Sequence, residues 1–295
     1  MNPWVRECPD VGQPLKTFFS KALVRRLAGD IARVYPGFPV RGFTNDASRG
    51  LDALELLDRG RHIADALARH LPPAYPEALE VLLQSLGPEH ATDELIGVGM
   101  APFFYLPHTL FVAERGLEHF DLSMQAQYEL TKRFSAEASI RPYISRDPER
   151  AMVFLQTCTA DRHPHVRRLV SEGTRLRLPW APRVAWLDRN PERVLALLER
   201  LKDDPSTMVR RSVANNLNDP GKVRPELLIR TAGEWRVPSS RRMTVVSMCQ
   251  ISSAHVVRMP TFGFAGCTRS RGRRHPKRRT RRYQVEGEAQ TRARR

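Results

Sequence analysis

The stretch PERAMVFLQTCTADRHPHVRRLV (residues 148–170) is repeated as PERVLALLERLKDDPSTMVRRSV (residues 191–213), aligned without a gap at an offset of 43 residues. The identical positions include the opening Pro-Glu-Arg, an aspartate near the middle and the closing Val-Arg-Arg-x-Val. In both copies the apolar residues recur at the spacing of α-helices, in two segments divided by a polar turn. The sequence therefore predicts consecutive units of two helices each.

Units of about 40–47 residues with two helices are typical of HEAT-type repeats, which stack because each unit leaves an apolar face uncovered. A fainter copy at residues 131–141 resembles residues 166–175. Three earlier helical patterns, over residues 23–34, 51–71 and 77–86, end close to proline or glycine, and alternating strand patterns are missing. We predict an all-α protein, a curved HEAT-like solenoid.

Most of the excess positive charge lies near the end of the chain. Residues 236–295 hold 16 of the 48 lysines and arginines but only two of the 32 acidic residues. We therefore predict two domains, a nearly neutral helical body over residues 1–235 and a disordered basic tail over residues 236–295. The tail either adds non-specific DNA affinity or results from a shifted reading frame, and the abrupt change in composition favours the second interpretation.

Several classes of protein are disfavoured by the sequence. The four cysteines are scattered, and Cys158, His163 and His165 match no metal-ligand spacing, so we expect neither a disulfide framework nor a metal ion. The N-terminus has no apolar signal segment. The uncharged residues 95–113 contain glycines and prolines, which favours buried helix ends over a membrane span. We expect a cytoplasmic protein with no membrane partner.

The repeat predicts that the second helix of each unit lines one side of the solenoid. Residues four apart share a helix face, so cations and acids are expected in parallel columns. An exposed pair of this kind is usually a solvated pair worth a few tenths of a kcal/mol, but recurrence at repeat positions argues for a functional surface. The residues concerned are Arg133 with Glu137, Arg168 with Glu172, and Arg211 with Asn215 and Asp219.

Four stretches of the chain resemble the AlkC-type branch of the AlkC/AlkD family of DNA alkylation repair glycosylases. They are FFYLPHTLFVAERGLEHFDLSM (103–124), LTKRFSAEASIRPYI (130–144), HVRRLVSEGTRLRLPW (165–180) and VRRSVANNLNDP (209–220), and the resemblance extends over about residues 15–235. It implies a HEAT-like solenoid whose concave face holds DNA. It further implies hydrolysis of the N-glycosidic bond of alkylated bases such as 3-methyladenine, without base flipping.

The resemblance also implies the catalytic carboxylates. The matching acids are Glu137 in FSAE, Glu172 in SEGTR and Asp219 in NLND. We assign the main role to Asp219, which would stabilise the sugar cation and direct a water to C1′. Glu137 and Glu172 would line the lesion site and favour a cationic base. Because a 3-alkylated purine is already a good leaving group, the hydrolysis requires no cofactor.

A local basic stripe is expected to hold the partner, double-stranded DNA with alkylated bases, and the protein is expected to act as a monomer. An arginine of each Arg-Arg pair could instead brace the neighbouring repeat. Trp180 could contact DNA or pack in the core. The candidate DNA-binding residues are Lys132, Arg133, Arg167, Arg168, Arg175, Trp180, Arg210 and Arg211.

The alternative function is a non-catalytic HEAT-repeat scaffold that binds DNA or protein. Solenoids of this kind commonly serve as binding surfaces. A scaffold has no need of the carboxylate set Glu137, Glu172 and Asp219, and this set therefore favours the enzyme. A third possibility is a former glycosylase that still binds DNA but has lost its activity with its C-terminus.

Overall fold

The computed structural model describes residues 14–90, 101–221 and 224–235, all within one compact unit. Within these ranges it contains thirteen α-helices and no strand, which confirms the all-α prediction. The predicted disordered tail and the boundary after residue 235 lie outside the described residues. The helices of the first half are α1 Lys21–Val34, α2 Val40–Ser48, α3 Leu56–His70, α4 Tyr75–Gln84, α5 Leu106–Arg115 and α6 Phe120–Thr131.

The second half of the described chain contains the repeated units. Its helices are α7 Arg141–Arg146, α8 Pro148–Cys158, α9 Pro164–Gly173, α10 Ala185–Arg189, α11 Pro191–Leu201, α12 Thr207–Gly221 and α13 Pro225–Glu234. Short 3₁₀ helices also occur at Leu15–Phe18, Leu51–Ala53 and Ala101–Tyr105. None of the described helices combines the length and apolar composition that a membrane crossing requires.

The 43-residue repeat appears in the structure as two matching helix pairs. Helices α8 and α11 both begin at the proline of Pro-Glu-Arg, where the missing N–H of proline costs nothing. The apolar identities are buried in both copies, with Val166 and Val170 matching Val209 and Val213 at full burial. Helix α9 packs against α12, as stacked units require.

The fainter third copy does not continue the helical pattern. Helix α6 ends at Thr131, and residues 132–140 form turns before α7 begins. The prediction that Arg133 and Glu137 share a helix face is therefore wrong. The hydroxyl of Ser139 bonds to Ala136 O and to the Gln127 side chain, and such local serine bonds compete with helix formation.

The earlier helices follow the predicted pattern with different starts. Helix α1 ends at Val34, just before Pro36 as expected, and the Ser20 hydroxyl caps its start by accepting from the Leu23 N–H. Helix α3 begins later than predicted, at Leu56. The chain turns at Gly50, whose φ of 70° suits glycine, and residues 51–53 form a separate 3₁₀ turn.

A recurring aspartate clamp explains several polar identities of the repeat. The carboxylates of Asp161 and Asp204 each accept the N–H two residues ahead, at 2.7 and 2.8 Å. Arg167 and Arg210 each donate to the carbonyl of the aspartate six residues earlier, at 2.8 and 2.5 Å. These contacts secure the turn between the two helices of each unit.

The same aspartates also tie each unit to the one before it. Tyr128 donates its hydroxyl to Asp161 at 3.0 Å, and Arg167 holds Asp204 by two bonds of 2.6 and 2.9 Å. Asp204 is buried, and the Arg167 side chain is 12% exposed. The identities that revealed the repeat therefore serve largely to build the stack.

We expect Asp204→Ala to lower the free energy of unfolding by about 2–4 kcal/mol, because the buried Arg167 charge loses its partner. The matched control is Asp121→Ala, which breaks an ion pair with Arg150 at 2.8 Å whose aspartate is 88% exposed. That change should cost less than about 1 kcal/mol. Urea titration followed by circular dichroism measures both values, and equal small losses would contradict the clamp.

Candidate functional site

The three acids implicated by the sequence lie on one continuous chain of ion pairs. Arg168 bridges Glu137 at 3.1 Å and Glu172 at 3.5 Å. Arg175 bridges Glu172 at 3.3 Å and Asp219 at 3.0 Å. The acidic network, as we call these five side chains, joins the turn after α6 to the ends of α9 and α12. It contains three carboxylates and two guanidiniums, which leaves an excess of one negative charge.

Asp219 is the most completely bonded of the three acids. It sits two residues before Gly221, the last residue of α12. Its Oδ2 accepts from Arg175 Nε at 3.0 Å and from the Arg177 backbone N–H at 3.1 Å. Its Oδ1 accepts from Arg175 Nη2 at 3.2 Å. Three donors from one loop therefore hold this carboxylate in a single orientation.

The two glutamates differ in their surroundings. Glu172 lies in the last turn of α9 with its side chain 6% exposed, whereas Glu137 lies in the turn before α7 and is 26% exposed. The Ser135 hydroxyl donates to Glu137 at 2.7 Å. The i, i+4 pair Arg168–Glu172 forms as expected, but Arg133 pairs with Glu129 instead of Glu137.

Asp219 is almost closed to solvent within the acidic network. The Asp219 side chain is 2% exposed, and the guanidinium of Arg175 lies against it. Burial disfavours the charged form of Arg175, but the hydrogen bonds and charges of Asp219 and Glu172 outweigh burial and raise its pKa. Any direct contact between Asp219 and a ligand therefore requires the side chains that cover it to move.

Four of the cations expected to bind DNA have partners within the protein that lie outside the acidic network. Lys132 pairs with Glu89 and Glu129, and Arg133 bonds to Gly87 O at 2.6 Å and to Glu129. Arg167 and Arg210 belong to the aspartate clamps already described. This agrees with the alternative that an arginine of each Arg-Arg pair braces the repeat, and DNA binding by these four residues stays a prediction.

Other cations lie on or beside the acidic network. Arg168 and Arg175 belong to it, and Arg211 occupies the position equivalent to Arg168 in the next unit, where it is exposed. The sequence analysis did not identify Arg177, which lies between the buried residues Leu176 and Leu178 in the loop after α9. Within the described part of the chain, the side chains of Arg177 and Arg211 have no ion pair or hydrogen bond.

Trp180 is exposed and has an unusual backbone conformation. Its side chain is 65% exposed, and it is the one non-glycine residue with positive φ among the described residues, at 60°. Core packing of Trp180, which the sequence left open, is excluded by this exposure. A large side chain in the left-handed region costs about 1–2 kcal/mol, and such strain tends to persist at functional positions. Trp186, by contrast, packs against the core.

The cysteine and histidines considered as metal ligands have other surroundings. Burial raises the pKa of the Cys158 thiol to about 12. His163 and His165 pack ring against ring at 5.5 Å. No cluster of metal-ligating side chains occurs among the described residues.

A cavity of about 630 Å³ lies elsewhere, between α6 and α8, and is lined partly by Phe120, Tyr128 and Val153.

Two known proteins are similar to most of this chain. No protein-family model matches the chain. The uncharacterized protein YhaZ of Bacillus subtilis (strain 168) is 35% identical over 227 residues, which is 75% of this chain and 59% of YhaZ. The structure of Pseudomonas fluorescens alkylpurine DNA glycosylase AlkC, bound to DNA containing an abasic site analog, matches with a TM-score of 0.72 and 30% identity.

The match to AlkC covers 82% of this chain and 65% of AlkC, so the chain spans less than two thirds of either relative. AlkD2 from Streptococcus mutans matches with a TM-score of 0.37 and 19% identity, over 78% of this chain and 97% of AlkD2, a score too low to support a comparison of the two structures.

The class of protein is a HEAT-like helical-repeat protein. Within that class the chain resembles AlkC, as the sequence motifs predicted.

We expect Trp180→Gly to leave the free energy of unfolding unchanged or to raise it by up to about 1 kcal/mol, because glycine relieves the positive φ and little buried surface is lost. The control is Trp186→Gly in α10, which removes a packed ring from a helix and should cost more than about 2 kcal/mol. Thermal denaturation compares the two variants. A large loss of stability in Trp180→Gly would show that the ring supports the fold.

Proposed function

We propose that the protein is a DNA glycosylase that hydrolyses the N-glycosidic bond of N-alkylated bases, 3-methyladenine among them, in double-stranded DNA. The acidic network carries the proposal, because it brings three carboxylates from separate units together and holds Asp219 with three donors. The likeness to alkylpurine DNA glycosylase AlkC supports the same class of reaction. A scaffold of stacked helices has no use for such an arrangement.

The chemistry requires little beyond charge and a positioned water. In a 3-alkylated purine the base is already cationic, so when the bond between C1′ and the base nitrogen breaks, the electron pair leaves with a neutral base. The sugar becomes oxocarbenium-like, and a nearby carboxylate stabilises it. A water oxygen then bonds to C1′ and gives up one proton. As the family resemblance implies, the base is excised without being flipped.

Asp219 is the residue that we assign to the sugar. Each carboxylate oxygen has two acceptor positions, and both positions of Oδ2 are taken by Arg175 and Arg177. Oδ1 accepts a single bond of 3.2 Å from Arg175 and has room for another donor. Oδ1 is therefore the atom that accepts the proton of the attacking water.

DNA binding has to uncover this oxygen. Opening of the longer bond, from Arg175 Nη2 to Oδ1, frees an acceptor position on this oxygen, while the two bonds to Oδ2 keep the carboxylate in place. Arg175 could exchange this bond for a DNA phosphate, as its place in the predicted basic stripe suggests. Opening of this bond thus couples the arrival of the DNA backbone to the exposure of Asp219.

The glutamates make the site selective for cationic bases. The acidic network has one negative charge more than it has positive charges, and Glu137 is its most exposed carboxylate. A positively charged alkylated base is stabilised beside it, whereas a normal neutral base gains nothing from the charge.

The partner is double-stranded DNA, held by arginines at and beside the acidic network. We assign Arg177 and Arg211 to phosphates, together with Arg168 and Arg175 at the acidic network and with Trp180 against the sugar or lesion. The body over residues 1–235 carries the activity, acts as a monomer in the cytoplasm and needs no cofactor. The tail beyond it is assigned no part in the chemistry.

Asp219→Asn should reduce the rate of base release by about 100-fold or more, because the amide has no negative charge for the sugar cation. The measurement is single-turnover release of 3-methyladenine and 7-methylguanine from a duplex treated with methyl methanesulfonate, followed by chromatography and mass spectrometry. The matched control is Glu192→Gln, an exposed acid on α11.

The control variant should keep the rate of the natural chain. An unchanged rate in Asp219→Asn would remove Asp219 from the mechanism. No release by the natural chain itself, with DNA binding retained, would favour the scaffold or the inactive former enzyme.

Arg177→Ala should weaken binding to undamaged duplex and reduce the slope of log affinity against log salt by about 0.9, the value for one lost phosphate contact. Arg211→Ala should act in the same way. The control is Arg200→Ala, an exposed arginine on α11, the first helix of its unit. Fluorescence anisotropy at several salt concentrations gives the slopes. Equal slopes in all three variants would exclude Arg177 and Arg211 from the DNA surface.

A further inference from the structure

Arg141 is a buried arginine with no place in the predicted site. It is the first residue of α7 and is 1% exposed. Its guanidinium donates to Gly173 O at 3.0 Å, to Arg175 O at 2.8 Å and to Pro182 O at 2.9 Å. Burial lowers its pKa to about 10, although Asp188 and Asp219 favour its charged form. A buried charge of this kind must secure something that the fold or the site needs.

The three carbonyls belong to the loop that carries the hydrogen-bond donors to Asp219. Gly173 ends α9, and Pro182 lies just before Val184, the residue that precedes α10. Arg141 therefore holds both ends of one loop. Between these ends lie the side chain of Arg175 and the N–H of Arg177, which together supply all three bonds to Asp219.

The end of α9 also approaches the start of α7 too closely for a residue with a Cβ atom at position 173. A Cβ added at Gly173 would lie 2.9 Å from Ile140 Cγ2, so this position needs a glycine or a shift of its neighbour. Because the two segments lie so close, the single guanidinium of Arg141 can reach all three carbonyls. A lysine at position 141 has the charge but only one donor centre, and it could not replace the planar fork.

We propose that Arg141 is a positioning residue for Asp219, acting through the loop of residues 173–182. It fixes the backbone from which Arg175 and Arg177 hold the carboxylate, and so fixes Oδ1 relative to the sugar. The inference rests on the proposed glycosylase function. Small displacements of a reacting group strongly reduce rates, so loosening this loop should affect the chemical step more than DNA binding.

The test compares Arg141→Lys with Arg59→Lys in the full chain. Arg59 is an almost ideal control, since it is 5% exposed and donates to the carbonyls of Lys16, Phe19, Asp52 and Leu54. It holds the segments that precede α1 and α3, and none of its partners belongs to the acidic network. Both substitutions keep the charge and lose the fork, so their costs in stability should be similar.

The readouts are the single-turnover rate of base release from duplex treated with methyl methanesulfonate, the dissociation constant for undamaged duplex, and the melting temperature. Rates are measured at least 15 °C below the melting temperature of each variant, so that every chain is folded. We expect Arg141→Lys to lower the rate at least tenfold with a change of less than threefold in the dissociation constant. Arg59→Lys should lower the melting temperature but leave the rate within twofold.

Gly173→Ala is the second variant, in case Arg141→Lys does not fold. It disturbs the same joint from the other side, through the contact with Ile140, and should reduce the rate several-fold. An unreduced rate in the folded variants, with an active natural chain, would overturn the positioning role alone. Equal rate losses in Arg59→Lys and Arg141→Lys would also overturn it. A natural chain that releases no base would overturn the proposed function and this inference with it.

Discussion

The bond between Arg175 and Asp219 is the interaction on which the site depends. It crosses from the loop after α9 to the end of α12, and both partners are largely buried. A carboxylate in such a position needs hydrogen-bond donors, and one loop supplies two from the charged Arg175 guanidinium and one from the Arg177 backbone N–H. Stability and chemistry are therefore linked, because the contacts that make burial of Asp219 tolerable also determine where it points.

Charge balance in the acidic network follows from the same constraint. Two arginines neutralise most of the charge of three acids, so the acids can lie close together within the stack. The remaining negative charge is what a cationic base would meet. Arg177 and Arg211, whose side chains form no ion pair within the described chain, add positive charge for DNA beside this network.

The repeat separates structural from functional residues. Positions that are identical in the two units, such as Asp161 and Asp204 or Arg167 and Arg210, form the turn clamps and the ties between units. The candidate catalytic positions differ between the units: residue 215, the counterpart of Glu172, is asparagine, and the counterpart of Asp219 is residue 176, a leucine. Any unit must build the same stack, but only one place in the stack needs each functional group.

The sequence by itself determined the all-α class and the two helix pairs, because helical periodicity, proline at helix starts and a gapless repeat are local signals. It also determined the likeness to AlkC, through contiguous motifs. Only the tertiary structure decided that Glu137 lies in a turn, that Arg167 and Arg210 brace the repeat, and that Arg141 and Arg177 bear on Asp219. The contacts of Arg141, Arg167 and Arg177 join residues more than 30 positions apart, and such contacts leave no periodic trace in the chain. The turn at Glu137 and the bonds of Arg210 are local, but they depend on side-chain contacts that helical periodicity does not reveal.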